Sequence, residues 1–167
     1  MIRVCPGCGI EQPSGGSLPE GRHNSSPECW ALFGELSAYT VTHGDPKFIH
    51  QHAVDTWQLQ HALPSKSNIG IAFSLIGLYL ALEEQYTGRQ VQRAHMELGR
   101  TKRNWGDFEI PSSRAALTVT DVLRADAGPA RDARLMQWAA AVWANWKHAH
   151  AWTAETCARL LHPRKPT

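Results

Sequence analysis

Cys5-Pro-Gly-Cys8-Gly9, close to the start of this 167-residue chain, is its clearest chemical motif. Two thiolates two residues apart can grip one tetrahedral zinc ion when the turn between them curls back. Pro and Gly inside the turn, with Gly after the second Cys, suit that geometry. The same spacing serves dithiol redox chemistry, but usually at a helix start in a βαβ context, and a structural disulfide belongs with secreted chains. A closed Zn2+ site needs four ligands. Cys29 is the third candidate, because Ser26-Pro27-Glu28 begins a helix whose free N–H groups favour a thiolate there; the alternative is a small buried apolar side chain beside Trp30. For the fourth ligand the order of preference is His50, then His61, then His23. His50 and His61 share a face of one helix but stand roughly 16 Å apart along it, so a regular helix cannot offer both to one ion. Any single His has a plainer reading as an exposed or hydrogen-bonded imidazole.

The elements that must position these residues are helical. Pro13-Ser-Gly-Gly-Ser-Leu-Pro and its surroundings show no apolar period, so residues 1–25 read as an irregular arm that burial alone cannot fix. Helix starts are signalled at Ser26-Pro27 and Asp45-Pro46, predicting helices over about 27–41 and from 46 to near His61, where Pro64 forces an end. A nearly all-apolar segment, about 67–86, reads as the central helix. It is followed by one over about 89–99, a loop from Thr101 to Pro111 and a short helix at Thr120–Leu123. Leu135, Trp138, Val142, Trp146, Ala149 and Thr153 keep helical spacing and predict one long helix to about residue 160. No window alternates long enough to predict a strand. The expected fold is all-α, a small bundle of about five helices (26–162) with an irregular N-terminal zinc knuckle (1–25) in the same domain and a tail (163–167).

Composition bounds the function classes. Apolar residues make up 43% and charged residues 19%, which places the chain among globular proteins. The stretch Ile69–Leu82 is too short to span a bilayer. The N-terminus has no apolar signal region, so the expected compartment is the cytoplasm and no membrane partner is expected. The net charge is +2, from 17 basic and 15 acidic residues. The basic segment Arg89–Arg103 lacks interleaved aromatics, so it reads as a solvated face and nucleic acid is set aside as a partner. Seven Trp in one chain would suit a protein-interaction surface, yet most of them follow helical stripes and read as core.

C-P-G-C-G, S-P-x-C-W at 26–30, His50 before Val54-Asp55, Gln60-His61, the run Ala116–Leu123 and the Trp138–His150 segment together resemble an uncharacterised bacterial family carried as a domain of unknown function. The resemblance covers most of the chain, least clearly 88–110, and implies no known activity. It marks Cys5, Cys8, Cys29, His50, Asp55, Gln60, His61, Trp143 and His150, and leaves out His52 and His148, which read as surface residues. Where the family pattern has a Tyr, a His in the central helix and a His pair, this chain has Trp57, the region of Phe73, and Ala149-His150. A site needing those imidazoles is therefore incomplete here.

An enzyme reading places His61, Asp55 and His150 around a Trp-walled pocket, with a carboxylate-oriented His as general base acting on an unidentified small molecule. A variant of it has a second, open metal site on His50 or His61 with His150. The plainer alternative is that Asp55 and His61 satisfy backbone groups at a helix end and His150 hydrogen-bonds within an aromatic core. A further reading is a binding module that uses the zinc knuckle. The reading best supported by the sequence is a zinc-binding helical protein whose ion, held by Cys5, Cys8, Cys29 and His50, pins the arm.

Overall fold

The computed structural model describes residues 1–15, 23–64 and 67–162; residues 16–22 of the expected arm and the expected 163–167 tail lie outside the described residues. Among the described residues the chain forms a two-stranded antiparallel sheet followed by seven α-helices. β1 (Ile2–Val4) pairs with β2 (Glu11–Pro13) in the register Val4 opposite Glu11. The all-α expectation is thereby corrected, and part of the arm read as irregular is a hairpin. Three-residue strands are too short to show a period of two, which is why sequence pattern missed them.

The helices follow local signals. In α1 (Pro27–Thr42) the Ser26 hydroxyl accepts the Cys29 amide at 3.2 Å, Pro27 fills the first turn, and Phe33, Leu36 and Thr40 are buried. α2 (His50–Gln60) starts four residues later than the Asp45-Pro46 signal predicts. Asp45 spends its carboxylate closing a turn on the amides of Lys47 and Ile49, at 2.8 and 3.1 Å, and Phe48 takes φ +59°. α3 (Ile69–Leu82) is the central helix and packs on α2, on α4 (Gly88–Gly99) and on the last two helices. Reciprocal capping boxes, Thr87 with Gln90 and Thr118 with Asp121, open α4 and α5 (Val119–Leu123).

The long C-terminal helix predicted from apolar spacing is broken. α6 (Pro129–Asn145) ends at Trp146, a short 3-10 turn follows, and α7 (His150–Leu160) packs on α3. The Trp143 carbonyl freed by this break accepts from the Trp146 amide at 3.0 Å and from His150 Nε2 at 2.9 Å. The apolar stripe runs through the break, so spacing alone could not reveal it.

The larger core gathers Phe33, Leu36, Trp57, Leu75, Leu78, Leu135, Trp138, Val142 and Trp146, and it takes in Cys5, Cys8 and Cys29. A smaller one, with Ile76, Leu80, Val91, Leu98 and Trp105, holds the fourth cysteine, Cys157, whose thiol is pushed up to about 12 by burial and by Glu84. Such a thiol is inert at neutral pH.

A polar seam runs between α2, α3 and α4. Asp55 is 2% exposed; its Oδ1 accepts from Gln51 Nε2 at 3.1 Å, and its Oδ2 has no partner. The carboxyl lies against Gly77, where any side chain would collide with it, and His95 Nε2 donates to the Phe73 carbonyl beside it at 2.9 Å. Burial raises the Asp55 carboxyl well above the usual carboxylate range. His52, read from sequence as a surface residue, is 6% exposed, and burial lowers its imidazole to about 4.

These two groups pull stability in opposite directions. Asp55 binds its proton more tightly when folded, so its contribution is full below the ordinary carboxylate value of ~4 and is lost as pH rises. Asp55→Asn should therefore raise the denaturation midpoint at pH 7 and lose that gain near pH 3. A wild type at least as stable as the variant at pH 7 would show a paired carboxylate instead. His52 binds its proton less tightly when folded, so stability is lost as pH falls from about 6.5 towards 4, by up to roughly 3 kcal/mol. His52→Gln should flatten that acid limb in denaturant titrations.

Candidate metal centre

The loop of the β-hairpin is the knuckle itself. Cys5 donates its amide to the Ile10 carbonyl and accepts from the Gly9 amide at its own carbonyl, both at 2.9 Å, so the chain curls round between the two cysteines. Gly9 makes the return at φ +81°, a conformation that costs a residue with a side chain. Gly7 lies so close to its neighbours that a Cβ would stand 2.5 Å from the Asn24 carbonyl oxygen and 2.6 Å from the His61 ring.

Two helix ends complete the site. Cys29 sits in the first turn of α1, and His61 follows the last turn of α2. The His61 carbonyl accepts from the Asn24 amide at 3.1 Å, tying the arm to this end of α2. Nδ1 of His61 donates to the Trp57 carbonyl at 2.8 Å, which leaves Nε2 with its lone pair facing the cysteines. The ring stacks on Trp57 with centroids 4.2 Å apart, and Trp57 stacks in turn on Phe33 at 4.7 Å. A 3.3 Å ion pair between Arg3 and Glu28 joins β1 to α1.

The ligand atoms of Cys5, Cys8, Cys29 and His61 all lie within 4.8 Å of one another, and none of the four residues is more than 5% exposed. Cys8 Sγ is 3.7 Å from Cys29 Sγ, and Cys29 Sγ is 3.3 Å from His61 Nε2. A tetrahedron with metal–sulfur bonds of ~2.3 Å has sulfur–sulfur edges of ~3.8 Å, whereas a disulfide requires ~2.05 Å. The separations fit a coordination shell and no cross-link. Three thiols this close cannot all ionise on their own. Hydrogen bonds with Cys29 and Cys8 hold Cys5 far below the ordinary thiol value, while those with Cys5 and Cys8, together with burial, drive Cys29 far above it. A divalent cation among them is what would allow all three to be thiolates.

The geometry replaces His50 with His61 in this cluster. His50 is at the other end of α2, where its Nδ1 is hydrogen-bonded to Thr40 Oγ1 at 2.8 Å. His23 stacks edge-on against Trp57 at 5.6 Å and is not in the cluster.

The chain belongs to the family of unknown function DUF5946, whose family model matches residues 3–147. No curated protein and no solved structure matches it. The DUF5946 match contains Cys5, Cys8, Cys29 and His61 and stops before α7, so His150 lies beyond it.

The residues proposed for catalysis are not brought together. Asp55 faces Gln51 and Gly77, His61 faces the cysteines, and His150 stacks on Trp143 at 3.8 Å while capping its carbonyl. Asp55 and His61 are six residues apart on one helix, so they point to different sides of it. Gln60 instead joins three elements, donating to the Leu117 carbonyl at 2.7 Å and accepting from Trp138 Nε1 at 3.0 Å. His95, in the seam beside Gly77, carried no periodic or spacing signal in the sequence.

His61→Ala should strip bound metal from the purified protein, whereas His50→Ala should keep it and lose about 1 kcal/mol of stability with the Thr40 hydrogen bond. Elemental analysis of both variants decides, and loss of metal from His50→Ala alone would reverse the assignment.

Proposed function

We propose that Cys5, Cys8, Cys29 and His61 hold one Zn2+ in a closed, structural site, and that the protein is a zinc-stapled helical scaffold in which the ion pins the N-terminal hairpin to α1 and α2. The observation that carries this reading is the convergence of three sulfurs and one lone-pair nitrogen, within 4.8 Å of one another, in a buried pocket. A donor set of three thiolates and an imidazole suits zinc above magnesium, calcium or manganese, which prefer oxygen. Four protein ligands complete a tetrahedron and leave no position for substrate or a reactive water, which supports a folding role over a catalytic one. The stabilisation available is large. Structural zinc sites bind with apparent free energies of ~10–16 kcal/mol, comparable with the whole net stability of a domain.

Metal analysis should give one zinc ion per chain, lost on Cys5→Ser or Cys8→Ser. Chelation should lower the melting temperature, restored by zinc, and should speed cleavage of the first 25 residues in limited proteolysis. Equal cleavage with and without chelator would refute the stapling role. A second ion surviving both Cys variants would revive an open His site.

A further inference from the structure

A cavity of about 210 Å³ opens beside the knuckle, between the Pro6-Gly7 turn, the end of α2 and the 110–115 loop, with Val142, Asn145 and Trp146 at its far side. This is smaller than the ~300–1,000 Å³ of sites for drug-sized ligands, so its occupant is small. Its loop wall has no regular secondary structure but is held at three points. The Glu109 carbonyl accepts from His148 Nε2 at 2.8 Å, Ser113 exchanges two hydrogen bonds of 2.9 Å with Asn145, and Gln60 holds the Leu117 carbonyl. A loop fixed in this way is the usual bearer of a binding site.

The polar groups at the cavity divide into used and unused. Gln60 and Asn145 spend their amides on the scaffold. Arg114, Ser112 and Asn24 are at the cavity, the first two exposed, and their side chains make no hydrogen bond or ion pair among the described residues. Arg114 lies over Gly9, where a side chain would displace its guanidinium, so the same glycine that turns the knuckle seats the cation. Among the described residues no Asp or Glu lines the cavity, while the partly exposed Ile110, Pro111 and Ala115 give it an apolar side.

We propose that this cavity binds a small organic anion, with its carboxylate or phosphate on Arg114, Ser112 and Asn24 and a short apolar body against Ile110 and Pro111. A guanidinium fork matches an oxyanion with two parallel hydrogen bonds, and the lack of a competing carboxylate in the walls leaves that fork for a ligand. One wall is the knuckle, so the inference rests on the knuckle being held in place, which is what the zinc reading supplies.

The test is titration of full-length, metal-replete, isotopically labelled protein followed by amide–proton correlation spectra. The probes are sodium benzoate, phenyl phosphate, inorganic phosphate and uncharged benzamide. Benzoate or phenyl phosphate should produce saturable shifts at Gly7 and Ser112–Ala115 with affinity at least about tenfold above benzamide, and Arg114→Gln should remove about tenfold or more of it. Arg114→Lys should fall between the two. Arg103→Gln, at a separate cavity with Trp105, should behave as wild type. The ratio of benzoate to phenyl phosphate identifies the head group. No saturable shift with any anion, equal binding of benzamide, or undiminished binding in Arg114→Gln overturns the proposal. Zinc content measured on the same samples separates the two readings: Arg114→Gln that keeps its ion and loses the anion supports this inference, whereas metal-free protein that still binds benzoate overturns the zinc reading alone.

Discussion

Three thiols and an imidazole crowded into a space without water impose the condition that the rest of this end of the molecule must meet. Sulfurs 3.7 Å apart and not bonded as a disulfide could all be thiolates only around a shared positive charge, and three different backbone devices bring the four side chains to the point. A hairpin loop returning through Gly9 presents Cys5 and Cys8. A helix N-terminus capped by Ser26 presents Cys29, and a helix C-terminus presents His61 with its tautomer set by the Trp57 carbonyl. No element supplies the whole site, so the site can form only when the hairpin and two helices are already placed. On the proposed zinc reading it would in turn hold the hairpin there, beside the Arg3–Glu28 ion pair and the Asn24–His61 hydrogen bond.

α2 is where this constraint meets the core. Its C-terminal end carries His61 and Gln60, one towards Cys29 and the other towards Leu117 and Trp138, so a single helix end orients the knuckle, the 109–118 loop and α6. Its side towards α3 carries Asp55 against Gly77. That carboxyl is a local weakness, since half of it is unpartnered in a core that offers no charge to balance it. The helix tolerates it because the packing on either side, with Trp57 and Leu59 buried, is extensive.

The sequence made the knuckle and most helices legible because those signals are local: a Cys-x-x-Cys with Pro and Gly inside it, a Ser-Pro start, and long apolar stripes. It favoured His50 beside the three cysteines, whereas the cluster contains His61, for a reason that antiparallel geometry makes plain. Cys29 lies in the first turn of α1, and a short connection returns the chain as α2, so the end of α2 comes level with Cys29 while His50 stays at the far end with Thr40. Counting about 1.5 Å per residue down one helix and back up the next would have chosen His61. The turn at Asp45 and the break at Trp146 depend on side-chain-to-backbone hydrogen bonds, and no apolar period encodes those. His95 and Gly77 become meaningful only once three helices are packed.

The position of the four side chains also decides how far the loss of the proposed ion would spread. Cys5, Cys8 and Cys29 belong to the larger core, not to a separate appendage, and His61 stacks on Trp57, which contacts Phe33 and Trp30 at 4.7 and 5.1 Å. Removing the cation leaves three buried thiols, whose mutual hydrogen bonds cannot satisfy one another as well as four metal–ligand bonds do. On the proposed zinc reading, the effect of removing the ion would reach the His61 ring first and then this aromatic stack. The second core, built on Ile76, Leu80, Val91 and Trp105, has no residue in that chain of contacts. On the proposed zinc reading the two ends of the bundle should therefore differ in their dependence on metal, the half around α1 and the start of the chain losing more on its removal than the half around α4.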